Sequence, residues 1–270
     1  MEFDNKQYDG IYEVTEVEIH NDGEIVRGIM YFPPQKYNKP YPLILFFHGF
    51  PQILTFKEII RNFQILLDEG FAVILPNFRG YRLSEGEISL KSQVSDGLKL
   101  IEFSIQLAQN DIINGNDINI LGYDLGGYIS IIVSSLTDSI NKILLISPIL
   151  DLKTKVNTLE FRNSLNYLNR FLPGSVRGIK NVDKFISKTN TELKNEKFQI
   201  EKAFSNIKCK KMKIIIGKND KITSPMFLET LFSNYRDKID VNIIEGMDHD
   251  IIDHESFKQI SDKVRRFFSK

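Results

Sequence analysis

Four continuous apolar runs, each followed by a segment of helical period, constrain this chain more than any other feature. They are "LILFF" from Leu43 to Phe47, "FAVILP" from Phe71, "INILG" from Ile118 and "KILLISP" from Lys142. Runs without polar alternation suit strands covered on both faces. In "FKEIIRNFQILLDEG" the residues Ile59, Phe63, Leu66 and Leu67 form one stripe, and Gly70 suits a helix stop. In "SDGLKLIEFSIQLAQ" the residues Leu98, Ile101, Ile105 and Ala108 share a face. Strand and helix alternate, which predicts an α/β fold: a mostly parallel central sheet flanked by helices. Ahead of it, "YEVTEVEI" and "EIVRGIMYF" alternate around "NDGE", which predicts an antiparallel hairpin at a sheet edge.

The alternation breaks after Pro148. Residues 151–208 carry helical patterns, for example Val156, Leu159, Leu165, Leu168 and Leu172, with no convincing strand, which predicts an inserted helical lid over the sheet. "MKIIIG" from Met212, a helix from about Ser224 to Tyr235, "VNIIEG" from Val241 and a last helix from His254 to Phe268 then complete the sheet. The expected organisation is a core of 1–150 and 209–270 interrupted by a lid of 151–208. A length of 270 residues fits one α/β domain with an insertion.

Charge narrows the partners. Thirty-five basic and 35 acidic side chains cancel, which gives no electrostatic reason to expect nucleic acid or an anionic membrane surface. A small-molecule substrate is the expected partner, and the sequence is silent on oligomeric state. The one basic cluster, "KCKKMK" from Lys208, sits just before a strand and reads as a solvated loop. Cys209 is the only cysteine, so no internal disulfide can form and a cytoplasmic location is expected. The amino-terminal "MEFDNKQYDG" lacks the pattern of a signal peptide, and no apolar segment approaches a membrane span.

Three polar features fall at the ends of predicted strands, where open α/β sheets place their ligands. The first is Gly122-Tyr123-Asp124-Leu125-Gly126, in which small residues allow a tight strand-to-helix turn that holds the central side chain exposed above the sheet. Asp220 follows the strand ending at Gly217, and His249 follows the strand ending near Glu245. The chain order is nucleophile position, acid, histidine.

With these motifs the sequence resembles the α/β-hydrolase superfamily from about Tyr12 to its end. "FFHGFP" from Phe46 to Pro51 looks like the oxyanion loop, and "GYDLGG" looks like the nucleophile elbow. Two branches compete. "HGFP" and the aspartate are similar to epoxide hydrolases and dehalogenases, whereas "PNFRGYRLSEGE", "SDGLKLIEF" and "SPILD" look like prolyl oligopeptidase-type and serine esterase domains, in which Asp124 would be Ser. One branch implies a working aspartate nucleophile. The other implies a serine enzyme whose nucleophile has been replaced, leaving a binding protein or an altered function.

The chemistry of the two residue types differs. A serine needs a base, whereas an aspartate, with a reference pKa of about 3.9, is already anionic at neutral pH. Carboxylate attack on an ester would give an energetic anhydride, while attack on an alkyl carbon gives an ordinary ester. The resemblance then implies that Asp124 attacks carbon, that His249 oriented by Asp220 activates water, and that the amides of Phe50 and Leu125 hold the oxyanion. No cofactor is needed. Trp is absent, so the Trp-lined halide site of dehalogenases cannot exist here, and an epoxide-type substrate is favoured over a halide-releasing one. Epoxide hydrolases protonate the opening oxygen with lid tyrosines; Tyr167 is the one tyrosine inside the predicted lid, and Tyr81, Tyr123 and Tyr128 are further candidates for the same cavity. His48 reads as an anchor of the oxyanion loop, Asp151 as a second candidate for the acid, and Arg79 with Gly80 as shaping the loop after the strand from Phe71. The cluster Asp248, His249, Asp250, Asp253, His254 and Glu255 reads as helix-start charges rather than a metal site.

Overall fold

A computed structural model describes residues 7–175, 178–232, 239–251 and 254–269. Nine strands form one sheet: β1 (Gln7–Asp9), β2 (Tyr12–Asn21), β3 (Glu24–Tyr31), β4 (Tyr41–Phe47), β5 (Ala72–Asn77), β6 (Ile113–Tyr123), β7 (Lys142–Ile146), β8 (Lys211–Gly217) and β9 (Ile239–Ile244). Their spatial order is β1-β2-β3-β5-β4-β6-β7-β8-β9. The pairs β1/β2, β2/β3 and β3/β5 are antiparallel and all later pairs are parallel. The expected hairpin is β2–β3, and its turn residues Asp22 and Gly23 both have positive φ, 52° and 80°, the backbone that matches the twist of a two-residue hairpin.

The apolar runs are strands buried on both faces, and their side chains alternate between two cores. Leu43, Leu45 and Phe47 of β4 face one cluster and Ile44 and Phe46 the other; Ile214 and Ile216 of β8 oppose Ile215 in the same way. The first core is covered by α3 (Leu90–Gln109) and α4 (Leu125–Leu136), and the second by α1 (Phe56–Asn62), α2 (Gln64–Asp68) and the carboxyl-terminal helix His254–Phe268. The stripe Ile59, Phe63, Leu66 and Leu67 is buried. It spans two short helices rather than one, because Phe63 leaves helical geometry at φ −115°, ψ 24°.

On α3 the buried face differs from the expected one. Val94, Gly97, Leu100, Ile101, Ser104 and Leu107 face inward, while Ile105 is exposed. The reason is close packing: a Cβ on Gly97 would lie 2.7 Å from Val133 and 3.2 Å from Phe47, and Ser104 satisfies its hydroxyl on the Leu100 carbonyl at 2.7 Å. Neither small residue registers in a count of apolar side chains.

Between β7 and β8 the described residues form α5 (Leu152–Val156), α6 (Leu159–Phe171), α7 (Val182–Glu192) and α8 (Ile200–Ser205), with no strand among them. Val156, Leu165 and Leu168 are buried, but Leu159 and Leu172 of the expected pattern are exposed. The helix expected from Ser224 runs over Pro225–Phe232, and its expected end at Tyr235 lies outside the described residues. Among the described residues no helix is long and apolar enough to cross a membrane.

Candidate active site

The turn after β6 forces Asp124 into φ 53°, ψ −121°, a conformation that costs a non-glycine residue energy and persists only where surrounding contacts impose it. Those contacts are present. The Asp124 amide donates to the Ile146 carbonyl at 3.1 Å, and its carbonyl accepts from the amides of Gly127 at 3.0 Å and Ile149 at 3.1 Å. The glycines permit the turn by their lack of side chains. A Cβ on Gly122 would meet Ser130 Oγ at 2.5 Å, and one on Gly126 would meet the Phe47 carbonyl oxygen at 2.0 Å. Thus α4 starts against the end of β4.

The loop after β4 supplies the next contact. Its Phe50 amide donates to Asp124 Oδ2 at 2.6 Å. His48 anchors the loop: it is buried, Nδ1 donates to the Gly49 carbonyl at 2.8 Å, and Nε2 accepts from the Phe78 amide at 3.3 Å. Burial drives the pKa of His48 down to about 4, which matches a neutral ring donating through one nitrogen and accepting through the other. Leu125 is the first residue of α4, so its amide is among those a helix leaves without an internal acceptor.

On the far side, β8 and β9 bring the acid and the histidine together. Gly217 sits so close to the following loop that a Cβ would fall 2.0 Å from the Met247 carbonyl oxygen, and the Asn219 amide donates to that same oxygen at 3.0 Å. Asp220 Oδ1 accepts from the amides of Ile222 and Thr223, both at 2.8 Å. Its Oδ2 faces His249 Nδ1 at 2.9 Å, and His249 Nε2 lies 3.1 Å from Asp124 Oδ1. All three side chains are buried. Burial works against a charged imidazole, but hydrogen bonds and the charges of Asp124 and Asp220 outweigh it and raise the His249 pKa to about 9. At neutral pH the site is therefore an imidazolium held between two carboxylates.

A cavity of about 500 Å³ opens above this row, with Phe50, Gln52, Tyr123, Asp124, Phe161 and His249 in its wall. The tyrosines divide. Tyr123 lines the cavity, and its hydroxyl lies 3.5 Å from Asp250 Oδ1. Tyr167, expected there, is instead exposed and packed on Phe171, because it lies on the solvent side of α6, opposite the buried Leu165 and Leu168. Tyr81 is also off the cavity wall; it is fully buried with its ring against His48 and Phe50. Tyr128 donates its hydroxyl to the Phe198 carbonyl and so ties α4 to the helical segment. Asp151 is not the acid of the site, since its carboxylate caps α5 by accepting from the Thr154 amide at 3.1 Å.

Arg79, expected to shape the loop after β5, is buried, donating to Asp96 at 2.7 Å and pairing with Asp22 at 3.1 Å and Glu24 at 3.3 Å. What escaped the sequence reading is its partner Asp96, a buried carboxylate within the packed face of α3. No group of three or more His, Cys, Asp or Glu among the described residues is arranged to hold a metal ion; Asp253 of the acidic cluster lies outside them.

A carboxylate on a strand-to-helix turn, a histidine and a second acid on later strand ends, and a backbone amide facing the first carboxylate stand together at the strand ends of an open α/β sheet, where such sheets place their ligands. The family described as alpha/beta hydrolase fold matches residues 42–183, just over half of the chain, and the chain belongs to it. A curated protein of Mycoplasma genitalium named "Putative esterase/lipase 2" is 23% identical over 249 residues, covering 85% of this chain and 89% of that one. Among solved structures, Est1E from Butyrivibrio proteoclasticus superposes with a TM-score of 0.70 at 16% identity, covering 93% of this chain and 96% of its own. An esterase from Pyrococcus furiosus also superposes at 0.70 and 16% identity, covering 95% and 90%. At that identity the structures speak to the fold alone.

Proposed function

We propose that this protein hydrolyses a small organic substrate through a covalent ester on Asp124, with an epoxide as the substrate type that best suits the site. The observation that carries the reading is the division of labour between the two oxygens of Asp124. The Phe50 amide takes Oδ2, Oδ1 faces His249, and the residue lines the cavity.

In this scheme Oδ1 attacks an epoxide carbon, the carbon–oxygen bond opens, and the new alkoxide takes a proton from a cavity side chain. Tyr123 and Lys155, both on the cavity wall, can supply that proton. Esterification removes the Asp124 charge, so His249 loses one of the two anions that hold its proton, its pKa falls, and that proton passes to the side chain that protonated the alkoxide. The neutral imidazole then takes a proton from water, the hydroxide oxygen bonds to the Asp124 carboxyl carbon, and the oxyanion on Oδ2 is stabilised by the Phe50 and Leu125 amides. Collapse breaks the bond between the carboxyl carbon and Oδ1; the alkoxide, carrying Oδ1, takes a proton from His249 and leaves as a diol, and the new Asp124 carboxyl returns its proton to His249. The helices of 151–208 serve as the lid; α6 and α7 bring Phe161 and Phe185 against Phe50 at ring distances of 5.9 and 5.7 Å.

The relatives named as esterases favour a second reading, in which the chain descends from a serine esterase and binds ligands without turnover. A single turnover in oxygen-18 water with a panel of epoxides, haloacids and esters separates the two. Label in the Asp124 carboxylate supports the alkyl-enzyme route. No label, together with esterase activity gained by Asp124→Ser, supports the second reading.

A further inference from the structure

We infer that Thr223 is a positioning residue of the site: its hydroxyl ties the loop that carries Asp220 to the loop that braces Asp124, and this tie sets the contact between Asp220 and His249. As a statement about catalysis the inference rests on the reading of His249 as the base. The contacts themselves do not.

Thr223 is fully buried between two loops at the strand ends. On its own loop, after β8, its amide donates to Asp220 Oδ1 at 2.8 Å. Its hydroxyl reaches the loop after β7, where Oγ1 donates to the Pro148 carbonyl at 2.6 Å and accepts from the Leu150 amide at 3.2 Å. The residue between those two is Ile149, whose amide donates to the Asp124 carbonyl at 3.1 Å. One side chain therefore joins the backbone that holds the acid to the backbone that holds the proposed nucleophile.

The β7 loop is a firm anchor. A Cβ on Gly127 would lie 2.6 Å from Pro148 Cβ, so the first turn of α4 packs directly on that loop. Ser147, just before Pro148, has φ 42°, in the left-handed region that a residue other than glycine occupies only where its surroundings impose it. Its amide is fixed on the Ile215 carbonyl of β8 at 2.8 Å.

Among the described residues no other hydrogen bond reaches the Pro148 carbonyl or the Leu150 amide. Without the Thr223 hydroxyl both would be buried and unpaired, at a cost that favours parting the two loops until water can reach them. Asp220 moves with its loop, because the amides of Ile222 and Thr223 hold its Oδ1. Its Oδ2 lies 2.9 Å from His249 Nδ1, and a hydrogen bond of that kind weakens steeply once it lengthens or bends.

The test reads the ring. The charged groups that face His249 are Asp124 from the elbow and Asp220 from the β8 loop; Asp250, next in the chain, lies against the Tyr123 hydroxyl. Imidazole proton NMR of the intact protein across a pH series gives the His249 midpoint, expected at about 9 in the parent. Thr223→Val sets a methyl where the hydroxyl stood, 2.6 Å from a carbonyl oxygen, and should lower that midpoint by roughly half a unit or more. Thr223→Ala removes the hydroxyl without that push, and is read in the same way should the Val variant not fold. Thr223→Ser keeps the hydroxyl and should titrate with the parent, which a loss of packing alone would not explain. In an Asp220→Asn background the shift should vanish, since its route runs through the carboxylate. A midpoint unmoved when the hydroxyl is lost, a Ser variant that shifts as far as the Ala one, or a full shift that survives Asp220→Asn overturns the inference. No turnover is read, so failure of oxygen-18 to enter Asp124 is a separate result.

Discussion

His249 Nε2 lies 3.1 Å from Asp124 Oδ1, a contact between a charged ring and the carboxylate that would attack substrate. Asp124 and Asp220 together hold the His249 proton, so the ring can serve as a base only once one of those charges is removed. Replacing Asp124 by Asn mimics the loss of charge on esterification, so Asp124→Asn should lower the His249 pKa from about 9 by roughly one unit or more. Imidazole proton NMR across a pH series reads this directly. A His249 titration that stays where it was would remove the ion pair as the cause.

The same ion pair links stability to pH. The His249 pKa is raised from an ordinary 6.5 to about 9 in the folded chain, so the folded state holds its proton more tightly than the unfolded state. The stabilisation is complete below the unfolded value and disappears as pH rises through the folded one. The unfolding free energy read from urea titrations should therefore fall between pH 7 and 10, by on the order of a few kcal/mol at most. In His249→Gln that fall should shrink; an equal fall in both proteins would assign it to other groups.

The core strands and the order of Asp124, Asp220 and His249 were legible because both signals are local. An apolar run of five residues needs two covered faces, and a glycine-flanked turn after such a run has few uses. The buried face of α3 was not legible, since Gly97 faces inward through its close approach to Val133 and Phe47, and Ser104 through a hydroxyl satisfied on the Leu100 carbonyl, rather than through apolarity. Tyr167 was misplaced for a related reason. Residue type named it as a cavity tyrosine, but helical phase turns it away from Leu165 and Leu168 on α6.

The elbow depends on the absence of a side chain at Gly126. A Cβ there would lie 2.0 Å from the Phe47 carbonyl oxygen and 2.4 Å from its carbon, and both are backbone atoms of a buried strand that cannot turn aside. Gly126→Ala should cost about 3 kcal/mol or more, read from chemical denaturation. Gly174→Ala, where nothing lies within 4 Å, should stay within about 0.5 kcal/mol of the parent. Equal effects at the two positions would contradict the close approach of α4 to β4.

Asp220 separates the two halves of the proposed reaction. Its Oδ2 fixes His249 through Nδ1 at 2.9 Å, while Asp124 keeps its own contact with the Phe50 amide. Asp220→Asn removes the charge that orients and supports the imidazolium, so alkylation of Asp124 should proceed while hydrolysis of the ester slows by about 10²- to 10⁴-fold. Intact-protein mass spectrometry after exposure to a turned-over epoxide should then show the protein heavier by the mass of one epoxide, and peptide mapping should locate it on Asp124. A variant that turns over slowly without accumulating the adduct would mean that Asp220 acts before the ester forms, and the two-step scheme would have to give way to direct attack by water.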